Sequence, residues 1–222
     1  MDADYVFSLS ERITSVLAKQ PDVSDHRQDH PWLIGALGSI DANVVFIAEN
    51  PSLTQVERAT DPLTGGPPTI ESQWWQSKGD KLFRESLVEA GFKSGSIASP
   101  GDWKCYVTNV IKQPDYAEKW KKKSKRDLLE VAELWAPVLE FELSTINPKL
   151  IAAMGNKAYA VLQHLTEKGL IPRLLIHKIP HYSYIAMRAD AQRKLGPMNL
   201  IRVQEYKDQI KSLTELADSL CR

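Results

Sequence analysis

The sequence predicts an α/β fold: a three-layer α/β/α sandwich around a central, mainly parallel, four-stranded sheet. Four short apolar runs, rich in β-branched residues, alternate with longer segments whose apolar side chains recur at helical spacing. Apolar runs without polar alternation are typical of strands that helices cover on both faces. The chain has 222 residues, enough for one compact domain, and we expect a single domain over residues 1–222.

The first half of the chain predicts a helix, a strand, a loop and a second helix. Residues 5–19 carry apolar side chains at helical spacing, and residues 43–48 read Asn-Val-Val-Phe-Ile-Ala, a buried strand. Residues 60–73 contain three prolines and two glycines, which predict a loop. Residues 79–91 return to helical spacing and end at Gly91, a residue type favoured after helix ends.

In the second half, strands and helices alternate. A long helix is predicted over residues 124–145, with Ser124 as a suitable N-cap. Pro137 is expected to kink this helix or to start a new segment. The other predicted elements are strands at residues 105–111, 149–154 and 173–178, a helix from Gly155 to about Lys168, and a closing helix at residues 199–219.

The composition is that of an ordinary globular protein, with 43% apolar and 25% charged residues, which excludes a fibrous or wholly disordered chain. No apolar stretch approaches the roughly 20 residues of a membrane span, so no membrane partner is expected. The first residues are acidic where a signal peptide needs positive charge, which favours a cytoplasmic protein. We also expect a monomer.

Cofactor and metal sites lack support in the sequence. The two cysteines, Cys105 and Cys221, cannot form a four-cysteine zinc or iron–sulfur site, and they suit a reducing cytoplasm. His26 and His30 are four residues apart, but the segment around them looks like a loop without a zinc signature. We therefore predict no cofactor and no metal.

Polar side chains follow three of the predicted strands. Glu49 and Asn50 follow the first strand, Asn109 lies in the second near its end, and His181 comes after the fourth. In open α/β sheets, ligands bind beyond the carboxyl ends of the strands. We therefore expect these side chains to share one site.

Four segments of the sequence resemble motifs of a known family. They read Ala-Glu-Asn-Pro-Ser at residues 48–52, Tyr-Val-Thr-Asn-Val-Ile-Lys at 106–112, Ile-Asn-Pro-Lys-Leu-Ile-Ala-Ala-Met-Gly at 146–155, and His-Tyr-Ser-Tyr at 181–184. In this order they resemble the uracil-DNA glycosylase superfamily. The most similar branch is the iron–sulfur branch, which reads G-E-A-P-G, T-N-V-V-K, P-K-V-I-V-A-L-G and H-P-S-Y. The resemblance implies a partner, DNA, and a reaction, hydrolysis of the bond between a base and its deoxyribose.

The sequence departs from the iron–sulfur branch at several positions. It lacks the four cysteines of the cluster, so we predict no cluster. Ala48 replaces the leading glycine of the first motif, and Tyr182 replaces the proline of H-P-S. Asn50 stands at the third position of the first motif, as in the mismatch-specific branch. These changes bear on the substrate more than on the fold.

The resemblance implies roles for individual residues. Asn50 would hold the attacking water, His181 would stabilise the leaving base anion, Asn109 would read the base, and Trp74 would stack on it. An amide cannot remove a proton from water, so we expect a slow enzyme unless Glu49 contributes. Neighbours in an extended segment point to opposite sides, so Glu49 and Asn50 need not share the pocket. The alternatives are structural: polar residues that close strands and turns, and a tryptophan of the core.

Ser52 bears on the size of the accepted base. In the strictly uracil-specific branch, as the resemblance implies, a tyrosine at this place blocks any group on C5 of the pyrimidine. Serine leaves that space open and adds one hydroxyl. We therefore predict that bases larger than uracil are accepted; the alternative is that Ser52 merely replaces the glycine of other branches.

Local positive charge is needed for DNA binding, because 28 basic and 28 acidic residues leave no net charge. The strongest basic run is at residues 119–126, and we predict DNA contacts for Lys121, Lys122 and Lys123. The alternative is a solvated face.

The segment after His181 is the second predicted DNA contact. Ser183 and Arg188 are expected to touch the backbone, and Tyr182 and Tyr184 to fill the gap that a flipped nucleotide leaves. The alternative is a pair of tyrosines that pack this loop.

The predicted function is that of a monofunctional DNA glycosylase. It would flip a modified pyrimidine, either uracil or a 5-substituted or hypermodified base, and leave an abasic site, in base-excision repair or in defence against phage. No lysine stands at a motif position as an imine-forming nucleophile, so strand cleavage is not predicted. The alternatives are an inactive glycosylase-like DNA-binding protein and an enzyme that acts on free nucleosides.

Overall fold

A computed structural model describes residues 2–192 and 198–220, without the side chains of residues 188–192 and 198–200. Helices and strands alternate along most of the described chain. The strands are β1 (Ala36–Gly38), β2 (Val44–Ala48), β3 (Tyr106–Asn109), β4 (Leu150–Met154) and β5 (Leu175–Ile179), and the helices are α1 (Ala3–Leu17), α2 (Leu53–Glu57), α3 (Lys78–Glu89), α4 (Ala117–Lys121), α5 (Lys125–Ile146), α6 (Asn156–Glu167), α7 (Tyr182–Gln192) and α8 (Met198–Ser219).

The strands form one sheet in the order β1-β3-β2-β4-β5. The pairs among β2, β3, β4 and β5 are parallel, and only β1 runs antiparallel to its neighbour β3. The predicted α/β class and mainly parallel sheet are confirmed, but the predicted number of four strands is wrong. The sequence Ala-Leu-Gly of β1 has no β-branched residue and covers three positions, so periodicity could not reveal it.

The sheet has an apolar layer on each face, as the alternation of side chains along β2 illustrates. Val45 and Ile47 pack into a cluster with α1, α5 and α6, while Val44 and Phe46 pack into a second cluster with α3 and α8. The three-layer arrangement is therefore the predicted one. Because helices cover both faces of the central strands, a substrate can reach the sheet only at the ends of these strands.

The ends of the predicted helices agree with the structure at two caps and differ at one proline. The hydroxyl of Ser124 accepts a hydrogen bond from the backbone of Asp127 at 3.1 Å and starts α5. Gly91 follows α3 with φ +80°, which glycine adopts without strain. Pro137 lies inside α5, which is continuous, so it starts no new segment. No helix in the described part of the chain is both long enough and apolar enough to cross a bilayer.

Candidate active site

A pocket of about 290 Å³ opens at the carboxyl ends of the parallel strands. It collects side chains from β3 and from the segments that follow β2 and β5, because parallel strands end at the same edge of the sheet. Seven of the residues predicted from the sequence line it: Asn50, Ser52, Trp74, Asn109, His181, Tyr182 and Ser183.

Asn50 is half-buried directly beyond β2. Its Nδ2 donates a hydrogen bond to the backbone oxygen of Pro51 at 3.1 Å. This bond fixes the plane of the amide and leaves Oδ1 as an acceptor without a protein partner in the described chain. An acceptor of this kind can hold a water molecule by one of its O–H groups, but it cannot take the proton.

Glu49 is not among the residues that line the pocket. Its Oε1 accepts a hydrogen bond of 2.6 Å from Trp120 Nε1 of α4 and lies 3.2 Å from Lys157 Nζ of α6. Asn50 therefore lines the pocket, whereas the side chain of its neighbour Glu49 forms an ion pair outside the pocket lining. In this arrangement Glu49 joins two helices to the end of β2.

Asn109 is the last residue of β3 and is only 3% exposed. Its side-chain amide lines the pocket and has no hydrogen-bond partner among the described residues. Unlike the indole N–H of Trp32, this amide is not sealed from solvent, so water or a ligand in the pocket can supply its hydrogen bonds. The two donors and the acceptor of this amide match the hydrogen-bonding edge of a pyrimidine.

The backbone around Asn109 is held by a buried ion pair. Lys112 Nζ lies 2.6 Å from Glu142 Oε1 of α5 and donates to the backbone oxygen of Gly35 at 3.0 Å. The hydroxyl of Thr108 lies 2.9 and 2.8 Å from the same two oxygens, and its single proton can be donated to one of them at a time. Burial lowers the pKa of Lys112, and the charge of Glu142 opposes that shift. The partner Glu142 could not be identified from the sequence because no motif includes it.

His181 follows β5 with its imidazole against the pocket. Its Nδ1 accepts a hydrogen bond from the backbone N–H of Ser183 at 3.2 Å, which assigns the ring proton to Nε2. Burial lowers the pKa of His181 to about 4, so the ring is neutral at pH 7. A neutral imidazole with a proton on Nε2 is a hydrogen-bond donor, and His181 is part of the pocket lining.

Gly155 provides room for the histidine. It has φ +94°, and a Cβ built on it would lie 3.2 Å from the Cβ of His181. Its backbone N–H donates to Ile179 at 2.8 Å, which ties the end of β4 to the end of β5. A side chain at position 155 would crowd His181. Contact with the fourth motif therefore explains why the third motif ends in glycine.

Trp74 has an unusual backbone, with φ +53°. For a bulky residue this conformation is strained and must be held by its surroundings. The fully buried guanidinium of Arg84 holds it: Nε donates to the backbone oxygen of Trp74 at 2.8 Å and Nη2 to that of Gln73 at 2.7 Å. The indole N–H of Trp74 is bonded to the hydroxyl of Tyr182.

Tyr182 is a buried residue of the pocket wall. Its ring is 6% exposed and lies between His181 and Phe83, with ring centroids 4.4 and 5.2 Å away. The expectation that Tyr182 forms a surface wedge therefore does not fit this conformation. Tyr184, two residues further along α7, is 47% exposed. The side chain of Arg188 lies outside the described part of the chain.

A model of a protein family, described as the uracil DNA glycosylase superfamily, matches residues 36–200. The chain belongs to this superfamily. The match runs from β1 to the first residues of α8 and includes all four segments that carry the resemblance. Membership implies DNA glycosylase activity in general terms, with DNA as the partner. Similarity to the iron–sulfur branch stays a prediction. No curated protein matches the chain.

The basic run of this superfamily member lies beside the pocket mouth. Ala117, the first residue of α4, lines the pocket, and Trp120 of the same helix is bonded to Glu49. Lys121 and Lys122 are exposed, and the ammonium of Lys123 lies 5.1 Å from the centre of the Trp120 ring. The three predicted lysines thus lie at the end of α4 and just after it, and α4 is held near the pocket by Ala117 and Trp120.

The pocket residues that were not predicted from the sequence include Trp32, Gln55, Gln76 and Asp80. Trp32 precedes β1, and its buried Nε1 has no hydrogen-bond partner in the described chain. Asp80 has a sequence signal, because Ser77 and Asp80 have the spacing of a helix capping box. That signal predicts the start of α3 but not the position of the carboxylate in the pocket. Among the described residues, no group of three or more metal-ligating side chains could hold a metal ion.

Proposed function

We propose that the protein is a monofunctional DNA glycosylase that flips a modified pyrimidine into this pocket and hydrolyses its N-glycosidic bond. The observation that carries the proposal is the convergence of Asn50, Asn109 and a neutral His181 in one pocket. Catalysis on a base requires that the nucleotide leave the stack and enter such a pocket. The unpartnered amide of Asn109 then hydrogen-bonds the edge of the base.

His181 stabilises the leaving base. As the bond between C1′ and the base breaks, its electrons pass to the base, which becomes an anion. The N–H of Nε2 donates a hydrogen bond to that anion without any change in the charge of the ring. One preorganised donor of this kind contributes about 10²–10³-fold to a rate.

Asn50 places the water. Its Oδ1 accepts an O–H of the water, whose oxygen forms the new bond to C1′ on the face opposite the departing base. Asn50 does not take the proton, which passes to solvent after the base anion has left. Since general-base catalysis is worth about 10²–10⁴-fold, its absence at this position predicts a slow enzyme.

The reaction stops at the abasic site. Strand cleavage by imine formation needs an amine in reach of C1′. Among the described residues, no lysine lines the pocket, and Lys112, the motif lysine, is buried against Glu142. This supports a monofunctional enzyme.

The base is uracil or a larger pyrimidine, either 5-substituted or hypermodified. The pocket volume of about 290 Å³ is close to that of pockets for drug-sized ligands, which start at roughly 300 Å³, and leaves space beyond a single ring. Ser52 lines this space with a small side chain. Such bases are products of DNA damage and components of modified phage DNA, so both repair and defence against phage agree with the site.

A panel of DNAs tests the proposal. Single- and double-stranded oligonucleotides with different bases are incubated with the protein and scored for abasic sites. Release of at least one modified pyrimidine without strand cleavage is the expected result. Tight binding without release from any DNA would support the inactive DNA-binding alternative instead.

A further inference from the structure

One carboxylate in the pocket has no place in the four motifs. Asp80, in the first turn of α3, is 2% exposed and lines the pocket. Its Oδ2 accepts a hydrogen bond from the backbone N–H of Ser77 at 2.7 Å, which completes a capping box. Capping alone does not require burial in a pocket, since exposed carboxylates cap helices equally well.

One of the hydrogen bonds to the carboxylate of Asp80 is weak enough for a ligand to replace. The backbone N–H of Ser77 donates to it at 2.7 Å, and the hydroxyls of Ser77 and Tyr182 also bond to it. The side chain of Gln55 is 3.4 Å away, at the limit of hydrogen-bond distance, so this fourth donor is the one that a ligand can displace. Burial raises the pKa of Asp80, and the hydrogen bonds from Ser77 and Tyr182 oppose that shift. A further donor from a ligand would lower the cost of keeping the charge buried.

Asp80 belongs to the same part of the pocket as Ser52. The backbone N–H of Gln55 donates to the backbone oxygen of Ser52 at 3.0 Å, and the side chain of Gln55 reaches Asp80. All three residues line the pocket. Under the proposed function, Ser52 stands where a group on C5 of the pyrimidine would lie, so Asp80 is near that group.

We propose that Asp80 is a specificity-determining residue that accepts a hydrogen bond from an O–H or N–H group on the C5 substituent of the flipped pyrimidine. The inference rests on the proposed function and adds the chemistry of the substituent to it. A bare methyl group gains nothing from this carboxylate, because it has no proton to donate. A hydroxymethyl group, or a larger group with a hydroxyl or an amine, gains a charge-assisted hydrogen bond.

The test compares substituents of similar size that differ in one donor. Single-stranded oligonucleotides carry uracil, thymine, 5-hydroxymethyluracil or cytosine, and single-turnover rates of base release are measured at saturating protein. The wild type is expected to release 5-hydroxymethyluracil roughly 10–100-fold faster than thymine, the range for one well-placed polar contact to a base. In Asp80→Asn this ratio is expected to fall by about tenfold, because a charged acceptor is replaced by a neutral amide.

Ser77→Ala is the matched control. It removes the hydroxyl of the capping box, which also bonds to Asp80, and keeps the negative charge, so the ratio between 5-hydroxymethyluracil and thymine should stay well above that of Asp80→Asn. Thermal unfolding of both variants shows whether the cap is equally affected. If Asp80→Asn does not fold, equal wild-type rates on thymine and 5-hydroxymethyluracil would still overturn the inference.

Several results would overturn the inference. Equal rates on thymine and 5-hydroxymethyluracil in the wild type would do so, as would an equal loss on all bases in Asp80→Asn. Faster release of cytosine than of uracil, with no gain from the hydroxyl, would place the recognised donor on C4 instead. In these cases base release itself would uphold the proposed function. Release from none of the four DNAs would count against both.

Discussion

The two sides of the pocket are built on different supports. The motif side consists of Asn50, Asn109 and His181, which lie at or just beyond the ends of buried parallel strands. The loop side consists of Trp74, whose backbone is held by the guanidinium of Arg84 rather than by the sheet, and of Asp80 in the first turn of α3. Under the proposed function, the motif side carries the groups for bond cleavage together with Asn109, which reads the base. The loop side carries further groups for base selection. The difference predicts that rate and selectivity can be altered separately.

The largest effect is expected on the motif side, from His181→Ala. Loss of the Nε2 donor should lower the single-turnover rate at saturating DNA by about 10²–10³-fold, with little change in DNA affinity. The measurement pairs base-release kinetics with equilibrium binding to DNA that contains an uncleavable base analogue. Equal losses of affinity and rate would instead assign a structural role to the histidine.

The pH profile is a second readout for His181. Because burial lowers its pKa to about 4, the ring stays neutral as the pH falls from 7 to 5, and the rate should stay flat. The unfolded chain binds this proton near pH 6.5, so stability from the neutral ring is present above that pH. That stability is lost as the pH falls from 6.5 through 4. His181→Ala should therefore show a smaller loss of stability than the wild type over that window.

On the loop side, Arg84→Met should affect stability before chemistry. The substitution leaves the backbone oxygens of Trp74, Gln73 and Ile97 without their buried donor. We expect a fall in the free energy of unfolding of about 3 kcal/mol. Arg126→Met is the control, because that side chain is 86% exposed and its ion pair with Glu130 is screened by solvent. Equal melting temperatures in the two variants would contradict a role for Arg84 in holding the loop side.

Ser52→Tyr tests the space next to Asp80. The added ring should reduce release of a 5-substituted pyrimidine about tenfold or more relative to uracil, the cost of a steric misfit in a pocket. Release of both bases is measured under single-turnover conditions, with Ser52→Ala as the control that adds no bulk. A wild type that cuts only uracil, or an equal fall on both bases, would show that the pocket is not open at this wall.

The smallest effect is expected outside the pocket. Replacing Lys121, Lys122 and Lys123 with glutamine should weaken binding to all sequences alike and reduce the salt dependence of the affinity by about one unit of slope per lysine. Glutamine at Lys104 and Lys149, two exposed lysines near the opposite end of the sheet, is the control. If the triple variant keeps the wild-type slope, the run is a solvated face.

The motif side of the pocket was predictable from the sequence, and the loop side was not. Asn50, Asn109 and His181 were identifiable because each is next to an apolar run, and parallel strands bring such ends together. The resemblance predicts Trp74 as a base-stacking residue. It does not predict the backbone conformation of Trp74, which is held by the side chain of Arg84, ten residues later.

Contacts between residues that are far apart in the sequence could not be predicted, for the same reason. Glu49 pairs with Trp120 across 71 positions, and no periodic pattern connects two such residues. Asp80 was recognisable as a capping residue, a local property, whereas its burial in the pocket depends on Gln55 and Tyr182. The three residues of β1 lacked the composition by which strands are recognised. Local patterns therefore located the strands and the groups beyond them, and tertiary contacts decided the rest.

Arg84 also has a consequence for how this protein can adapt over evolutionary time. It binds carbonyl oxygens, which every amino acid carries, and so it holds the loop regardless of which side chains the loop displays. A mutation at Gln76 thus alters the pocket wall while the backbone of Gln73 and Trp74 stays in place. Asp80 lacks this freedom, because it also caps α3. A mutant library restricted to Gln76 and Ser52 would use the same freedom in the laboratory.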